Sequence, residues 1–196
     1  MTQPQALHVW QTVFWASIIA WWAMEMWIFS RDRRQVKGRS ADSGSLWVIG
    51  VLIALALWGA AAARRQFPQA AMAEPQPAGL MIAILVMWLG VALRLWSVLT
   101  LGAFFRVTVV VQDEHRLITR GPYSRLRHPS YAGGLLTMTG FGVGMDNWVS
   151  LGLMILLPLA AYGWRVRAEE TALRGRFGED YAAYAKRTWA MLPFIW

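Results

Sequence analysis

Long apolar runs separated by short polar stretches predict a series of membrane-spanning helices. Residues 8–29, 46–63 and 79–101 each approach the roughly 20 residues that cross about 30 Å of hydrocarbon. Two charged residues lie inside these runs. We interpret Glu25 as close enough to its helix end to reach the lipid headgroups, in preference to a bundle-facing functional carboxylate. For Arg94, headgroup contact and a partner inside the bundle are equally favoured.

Two further apolar stretches predict a helical hairpin. Residues 130–145 and 148–164 are separated only by Asp146-Asn147, a connection short enough to force antiparallel packing. The first stretch is short for a full crossing, and its glycines allow close contact with a neighbouring helix. We therefore expect an all-α integral membrane protein with about five transmembrane helices.

The residues after 164 predict amphipathic helices outside the hydrocarbon. Arg165 and Glu169 have the i,i+4 spacing of a helical ion pair, and we expect Gly178 to divide this tail into two helices. An apolar stripe is formed by Leu173, Phe177, Tyr181 and Tyr184.

Composition and charge support a membrane location. Of the 196 residues, 57% are hydrophobic and only 15% are charged, which is not typical of a soluble domain. The net charge of +8 lies between apolar spans, which argues against a nucleic-acid partner. The absence of cysteine excludes disulfides and thiolate catalysis, and the three histidines are too far apart in sequence for a local zinc motif.

The distribution of cationic residues predicts the orientation. Sixteen of the 19 Lys and Arg residues fall within residues 31–39, 102–129 and 165–196. Five spans with the N-terminus outside and the C-terminus cytoplasmic place all sixteen inside, as the positive-inside rule requires. Residues 117–134 and the tail then share the cytoplasmic side.

The stretch 117–134 carries the candidate chemistry. Residues 105–118, which lead into it, are rich in β-branched side chains and predict a hairpin or a curled loop. His128-Pro129-Ser130-Tyr131 can be explained as a plain helix start, with Pro129 at the first position. Together with Glu169 and Glu170, however, an open helix N-terminus, a histidine and a tyrosine suit a zwitterionic, nucleotide-like cofactor.

Residues 101–195 resemble one enzyme family in motif order, spacing and membrane setting. The matching motifs are LG-x-x-F, VVQDEH, LITRGPYSRLRHPSYAGG and the tail pattern R-x-x-x-EE followed by FGEDY and LPF. This pattern resembles the C-terminal half of the isoprenylcysteine carboxyl methyltransferase family and its phospholipid methyltransferase relatives. The resemblance divides the chain into a three-span region, 1–101, and a cofactor-binding region, 102–196.

The resemblance implies S-adenosylmethionine as the methyl donor, bound on the cytoplasmic side. It implies a lipophilic or lipidated acceptor that enters from the membrane, and carboxyl O-methylation of an isoprenylcysteine-like substrate. Arg165 and Glu169 are the candidate catalytic residues: Arg165 would orient an anionic acceptor, and Glu169 or Tyr131 would deprotonate a neutral one. The implied cofactor-binding residues are Gly121, Tyr123, Arg127, His128, Pro129, Tyr131 and Glu170.

Two alternatives remain open at this stage. Membrane sterol reductases have a similar RHP-x-Y-x-G segment and bind NADPH there, and a non-catalytic scaffold would use the basic loops to contact anionic lipid. We expect no metal, and a multi-pass protein of the inner or plasma membrane of a prokaryote. The methyl-accepting atom and the oligomeric state do not follow from the sequence.

Overall fold

The computed structural model describes residues 2–35, 44–72, 77–105 and 117–193, and these contain helices and turns but no β-strand. Residues 106–116, within the stretch predicted to form a hairpin or curled loop, lie outside the described residues. The five helices are α1 (Gln3–Gln35), α2 (Ser45–Gln66), α3 (Pro77–Leu101), α4 (Pro129–Gly144) and α5 (Trp148–Lys186). The prediction of an all-α chain is confirmed.

Four of these helices, α1, α2, α3 and α5, are long and apolar enough to cross a bilayer. The fifth, α4, has 16 residues, which corresponds to about 24 Å at a rise of about 1.5 Å per residue. Large apolar side chains such as Trp47 and Trp58 are more than 70% exposed, as expected on a surface that faces lipid tails. The five predicted spans are therefore four full-length helices and one short helix that packs among them.

Glycines allow α3 and α4 to pack backbone against backbone. A Cβ atom at Gly140 would lie 2.6 Å from the backbone nitrogen of Met87, and one at Gly133 would lie 2.7 Å from that of Arg94. Only a residue without a side chain permits such an approach. Helices α3 and α4 also contribute to the apolar core, where they meet α1. In this core, Phe14 of α1 and Phe141 of α4 pack edge to face with ring centroids 6.2 Å apart.

Two connections meet at one end of the bundle. The Asn147 side-chain amide donates to the carbonyl of Phe67 at 2.9 Å, and the N–H of Met72 donates to the carbonyl of Asp146 at 3.2 Å. Asn147 also caps α5, because its side-chain oxygen accepts from the N–H of Ser150 at 3.1 Å. The first turn of α4 and the continuation of α5 therefore lie toward the opposite end.

Helix α5 runs well beyond the predicted span 148–164 and carries the charged tail as part of the same element. Gly178, with φ 50° and ψ −122°, breaks it as predicted. Tyr181 and Tyr184 are buried, in agreement with the predicted apolar stripe. After α5, the chain returns to the residues before α4, where Arg127 and His128 donate their N–H groups to the carbonyls of residues 189 and 190, each at 2.8 Å.

Candidate active site

The segment before α4 and the charged part of α5 come together at one end of the bundle. Arg127 Nε lies 2.7 Å from Glu170 Oε1, and His128 Nδ1 lies 3.3 Å from Glu169 Oε2. The Tyr131 hydroxyl donates to Glu169, which also lies 2.9 Å from Arg165 Nε. Residues about 40 positions apart in sequence thus form one charged cluster, and the helical ion pair between Arg165 and Glu169 is confirmed.

Backbone contacts fix the segment before α4. Gly121 has a positive φ of 59° at the start of a 3₁₀ turn, a conformation that glycine adopts without strain. Tyr123 in this turn is buried, and its carbonyl accepts a 2.7 Å hydrogen bond from the Tyr184 hydroxyl. The Arg127 guanidinium donates to the carbonyl of Ala185 in the last turn of α5 and to that of Thr188 just after it. The site segment is therefore attached to α5 at several points.

The cluster is electrostatically paired. Burial alone would raise the pKa of the Glu170 carboxyl, but His128 and Arg127 lower it to about 2. Burial opposes ionisation of Glu169 as well, yet its contacts with His128 and Arg165 lower the pKa of that carboxyl. Burial lowers the pKa of the His128 imidazole, but the two carboxylates outweigh this effect and raise the pKa from its usual value. Both glutamates are therefore anionic at neutral pH, and His128 holds its proton more tightly than a free imidazole does.

A cavity of about 440 Å³ opens beside this cluster, which lies in the size range of small-molecule sites. The predicted site residues that line it are Tyr123, Arg127, His128, Tyr131 and Glu169. Arg165 is fully buried behind Glu169, and Glu170 contacts the outer side of the cluster. Gly121 shapes the 3₁₀ turn and Pro129 occupies the first turn of α4. These four residues support the cavity wall without forming its surface.

Aromatic rings connect the charged end of the cavity to the part that is lined by α1, α2 and α3. The His128 and Tyr131 rings are stacked at 6.0 Å, and the Tyr131 and Tyr162 rings are stacked at 5.2 Å. Beyond Tyr162 most of the lining is apolar, with Trp22 from α1 and Ile53 from α2, and the charged side chains there are Glu25 and Arg94. We refer to the part of the cavity lined by α1, α2 and α3 as the membrane lobe. One continuous cavity thus joins a charged end to an apolar end.

Glu25 and Arg94 form an ion pair on the wall of the membrane lobe. Arg94 Nη2 donates to Glu25 Oε2 at 2.7 Å, its Nε donates to Glu25 Oε1, and its Nη1 donates to Ser130 Oγ at 3.0 Å. The interpretation of Glu25 as a headgroup-reaching residue is therefore wrong, because the approach of α1 to α3 offers it a buried cation. For Arg94, the partner inside the bundle is the alternative that the structure supports.

The cluster has the groups that a zwitterionic nucleotide-like ligand would need. Its two carboxylates can accept hydrogen bonds from hydroxyl and ammonium groups, and His128 Nε2 is buried, with Glu170 Oε1 at 3.5 Å but without a hydrogen bond of good geometry among the described residues. The first turn of α4 contributes less than predicted, because the N–H groups of Tyr131 and Ala132 already donate to the His128 carbonyl. Side chains, more than backbone N–H groups, would hold such a ligand.

Comparison with known proteins decides the family. The model of one family, described as phospholipid methyltransferase, matches residues 78–180. The chain belongs to the phospholipid methyltransferase family. The matched range begins in α3 and ends in α5 just after Gly178, so it contains the charged cluster and excludes α1 and α2.

Individual relatives match a similar part of the chain. The "Probable protein-S-isoprenylcysteine O-methyltransferase" of Oryza sativa subsp. indica is 33% identical over 116 residues, which are 58% of this chain and 61% of the relative. The protein-S-isoprenylcysteine O-methyltransferase of Xenopus laevis is 35% identical over 58% of this chain and 40% of its own length. The chain thus matches about half of the length of these curated relatives.

A solved structure shares the fold. The eukaryotic intramembrane Ras methyltransferase ICMT (isoprenylcysteine carboxyl methyltransferase) superposes with a TM-score of 0.61, over 79% of this chain and 54% of that chain. The sequence identity is 24%, so the comparison supports the helical membrane fold alone. The resemblance stated from the sequence is confirmed at the level of the family.

Proposed function

We propose that this member of the phospholipid methyltransferase family is an S-adenosylmethionine-dependent methyltransferase that acts on a lipophilic acceptor. The reaction that we favour is carboxyl O-methylation of an isoprenylcysteine-like substrate at the cytoplasmic face of the membrane. One observation carries this proposal: a single cavity joins the charged cluster around His128 and Glu169 to an apolar lobe between membrane helices.

The residues of the charged end would hold the donor. Glu169, anionic at neutral pH, would accept hydrogen bonds from its ammonium or hydroxyl groups, and Glu170 would contribute by holding Arg127 and the segment before α4 in place. Tyr123, Arg127, His128 and Tyr131 would enclose it, while Gly121 and Pro129 set the backbone of the segment. When bound, S-adenosylmethionine supplies an electrophilic methyl group next to a positively charged sulfur.

Catalysis by this chain would rest mainly on positioning. A carboxylate acceptor is already nucleophilic, so the protein has to align its oxygen with the methyl carbon and exclude water. Arg165 is fully buried behind Glu169, so instead of orienting an anionic acceptor directly, it would act as a positioning residue that fixes the Glu169 carboxylate. For a neutral acceptor, Glu169 would accept the proton, either directly or through the Tyr131 hydroxyl that donates to it.

Isothermal titration of the purified protein tests donor binding. We expect saturable binding of S-adenosylhomocysteine, the demethylated product, and no competition by NADPH. Binding of NADPH alone would indicate a reductase, and saturable binding of neither compound would contradict the proposed activity.

The acceptor requires a separate experiment. Membranes that contain the protein would be incubated with methyl-labelled S-adenosylmethionine and extracted, and the extract would be analysed by mass spectrometry. We expect label in a lipid-soluble methyl ester that mild base hydrolyses. Label that resists base would instead indicate transfer to nitrogen or sulfur.

A further inference from the structure

Among the four tyrosines of the described chain that line the cavity, Tyr162 differs from the others in its hydroxyl group. The hydroxyls of Tyr131 and Tyr184 donate to Glu169 and to the carbonyl of Tyr123, respectively. The Tyr123 hydroxyl donates to a backbone carbonyl of α3 at 3.5 Å. Within the described ranges the Tyr162 hydroxyl has no hydrogen-bond partner, so it can donate to a ligand and accept from one.

This hydroxyl belongs to a side chain at the junction between the two ends of the cavity. The Tyr162 ring stacks on Tyr131 with centroids 5.2 Å apart, and Tyr131 in turn contacts Glu169 at the charged end. On the other side, Ile53 of the membrane lobe packs in the same apolar cluster as Tyr162. The polar head of a chain that fills the lobe would therefore meet Tyr162 before it reached the charged cluster.

Gly134 in α4 makes room for the Tyr162 hydroxyl. A Cβ atom at position 134 would lie 2.8 Å from the hydroxyl oxygen and 3.2 Å from Cζ, and the first of these distances is shorter than real Cβ contacts. Tyr162 is only 6% exposed, so its ring is confined between Tyr131 and the backbone of α4. The hydroxyl is thereby held in one place on the cavity wall.

The electrostatic surroundings of the hydroxyl favour an anionic ligand. Arg94 and Glu25 both act on Tyr162, and the effect of the cation is the larger of the two. A carboxylate that leaves water needs hydrogen bonds to compensate for its lost hydration. A hydrogen bond to a carboxylate is also stronger than one to a neutral group. A carboxylate therefore gains more from the free hydroxyl than a neutral polar group would.

We propose that Tyr162 binds the methyl acceptor, by donating a hydrogen bond from its hydroxyl to a carboxylate at the head of a lipophilic chain in the membrane lobe. This inference rests on the proposed function, because it takes the cavity to hold a lipophilic acceptor with a carboxylate. One carboxylate oxygen accepts the hydrogen bond, and the other oxygen stays free to react at the charged end.

Tyr162→Phe tests the inference because it removes the hydroxyl and keeps the stacked ring. The radiolabelled probes are N-acetyl-S-farnesylcysteine, which carries a carboxylate, and N-acetyl-S-farnesylcysteamine, which is the same molecule without the carboxyl group. We expect the variant in nanodiscs to bind the acid about tenfold more weakly than the wild type does. Its affinity for the second probe should stay within about twofold of the wild type.

The matched control is Tyr181→Phe. The Tyr181 hydroxyl also lacks a partner among the described residues, but it is enclosed by protein and does not line the cavity. Both probes should therefore bind this variant as they bind the wild type. An unchanged affinity of Tyr162→Phe for the acid, or an equal loss for the two probes, would overturn the proposal.

A second variant displaces the hydroxyl without removing it. Gly134→Ala should weaken binding of the acid severalfold and should have little further effect in the Tyr162→Phe background, because both changes act on one contact. Gly152→Ala is the control, since a Cβ atom there would meet nothing within 4 Å. Losses that simply add in the double variant would contradict the role assigned to the hydroxyl.

Neither probe requires the methyl donor, so the two proposals can fail separately. Titration of S-adenosylhomocysteine into the wild type and Tyr162→Phe reports on the charged end, and we expect equal affinities. Absent binding in the wild type would contradict the methyltransferase proposal. The affinities for the two farnesyl probes would still decide whether Tyr162 binds the carboxylate.

Discussion

Glu169 and Glu170 are adjacent in the chain and both contact His128, but their other partners differ. Glu169 contacts Tyr131 and Arg165, whereas Glu170 pairs with Arg127 and, at 3.5 Å, with Arg174. Consecutive residues of a helix point about 100° apart, so one helical turn can serve two roles. Glu169 faces the cavity, and Glu170 holds the segment before α4 in place.

Removing His128 or Glu170 should weaken donor binding. We expect His128→Ala and Glu170→Ala to lower the affinity for S-adenosylhomocysteine by about tenfold or more, because each leaves a buried charged partner uncompensated. Isothermal titration measures the change.

The matched control for this prediction is Arg174→Ala. The Arg174 side chain contacts the same carboxylate but is 56% exposed, so the affinity should stay within about twofold of the wild type. If His128→Ala and Glu170→Ala both purify as folded, monodisperse proteins with unchanged affinity, the donor site has been assigned to the wrong residues.

The charged cluster should also make stability depend on pH. His128 has a raised pKa when folded, so its pairing contributes fully below about pH 6.5 and is lost as the pH rises through the folded value. Glu170 has a lowered pKa, so its carboxylate stays ionised and does not change the free energy of unfolding at alkaline pH. We expect the melting temperature to fall as the pH rises above about 6.5, and to fall less in His128→Gln. An equal decrease in the two proteins would argue against this assignment.

At the scale of elements, α5 combines two functions. Residues 148–164 lie in the apolar bundle, and the continuation carries Arg165, Glu169 and Glu170 to the cavity. The break at Gly178 then turns the last part of the helix, so that Tyr184 reaches the carbonyl of Tyr123. A straight helix would continue past this contact and leave the site segment without its support.

Alanine substitutions at two nearby glycines test the role of the break. A Cβ atom at Gly178 or Gly175 would meet nothing within 4 Å, but only Gly178 has a positive φ. Gly178→Ala should therefore destabilise the protein by roughly 1–3 kcal/mol through backbone strain. Gly175→Ala should be neutral or stabilise the helix by up to about 1 kcal/mol. Thermal unfolding in detergent measures both, and equal effects would show that the backbone at 178 is not strained.

The helices themselves could be predicted because neighbouring residues encode them. The apolar runs indicated all five, and Gly178 indicated the break, although the helical continuation of α5 from the span into the charged tail was not evident from hydropathy. The pair of Glu25 with Arg94 could not be predicted, since it depends on how α1 packs against α3. The only local signal was the presence of opposite charges in two apolar runs.

At the scale of the whole molecule, the structure places polar groups at two ends of one bundle. The Phe67 and Asn147 connections meet at one end, and the charged cluster lies toward the other. The predicted topology assigns the first end to the outside and the second to the cytoplasm. Because the chain lacks cysteine, this assignment can be tested with single introduced thiols.

Thiol labelling in intact cells would establish the orientation. Gln69→Cys and Arg174→Cys are both at exposed positions, one at each end of the bundle. We expect a membrane-impermeant maleimide to label Gln69→Cys in intact cells and Arg174→Cys only after the cells are opened. The opposite pattern would place the donor end outside, where intracellular S-adenosylmethionine could not reach it.

The residues of the cluster could be identified from their types and spacing, because His128, Tyr131 and the two glutamates carry recognisable chemistry. The contacts that hold them could not. The carbonyls that receive the N–H groups of Arg127 and His128 belong to residues 189 and 190, and peptide groups are chemically alike at every position. The pairing of these N–H groups and carbonyls follows from the fold, and no pattern of side chains in the sequence indicates it.

That pairing has a consequence for biosynthesis. The segment before α4 acquires its hydrogen-bond partners only when residues 189 and 190 have been translated and have left the ribosome. Most of the helical bundle can form before that moment, but the wall of the cavity beside the charged cluster cannot yet be complete. Formation of the bundle and completion of the cavity are therefore successive events in the life of the nascent protein.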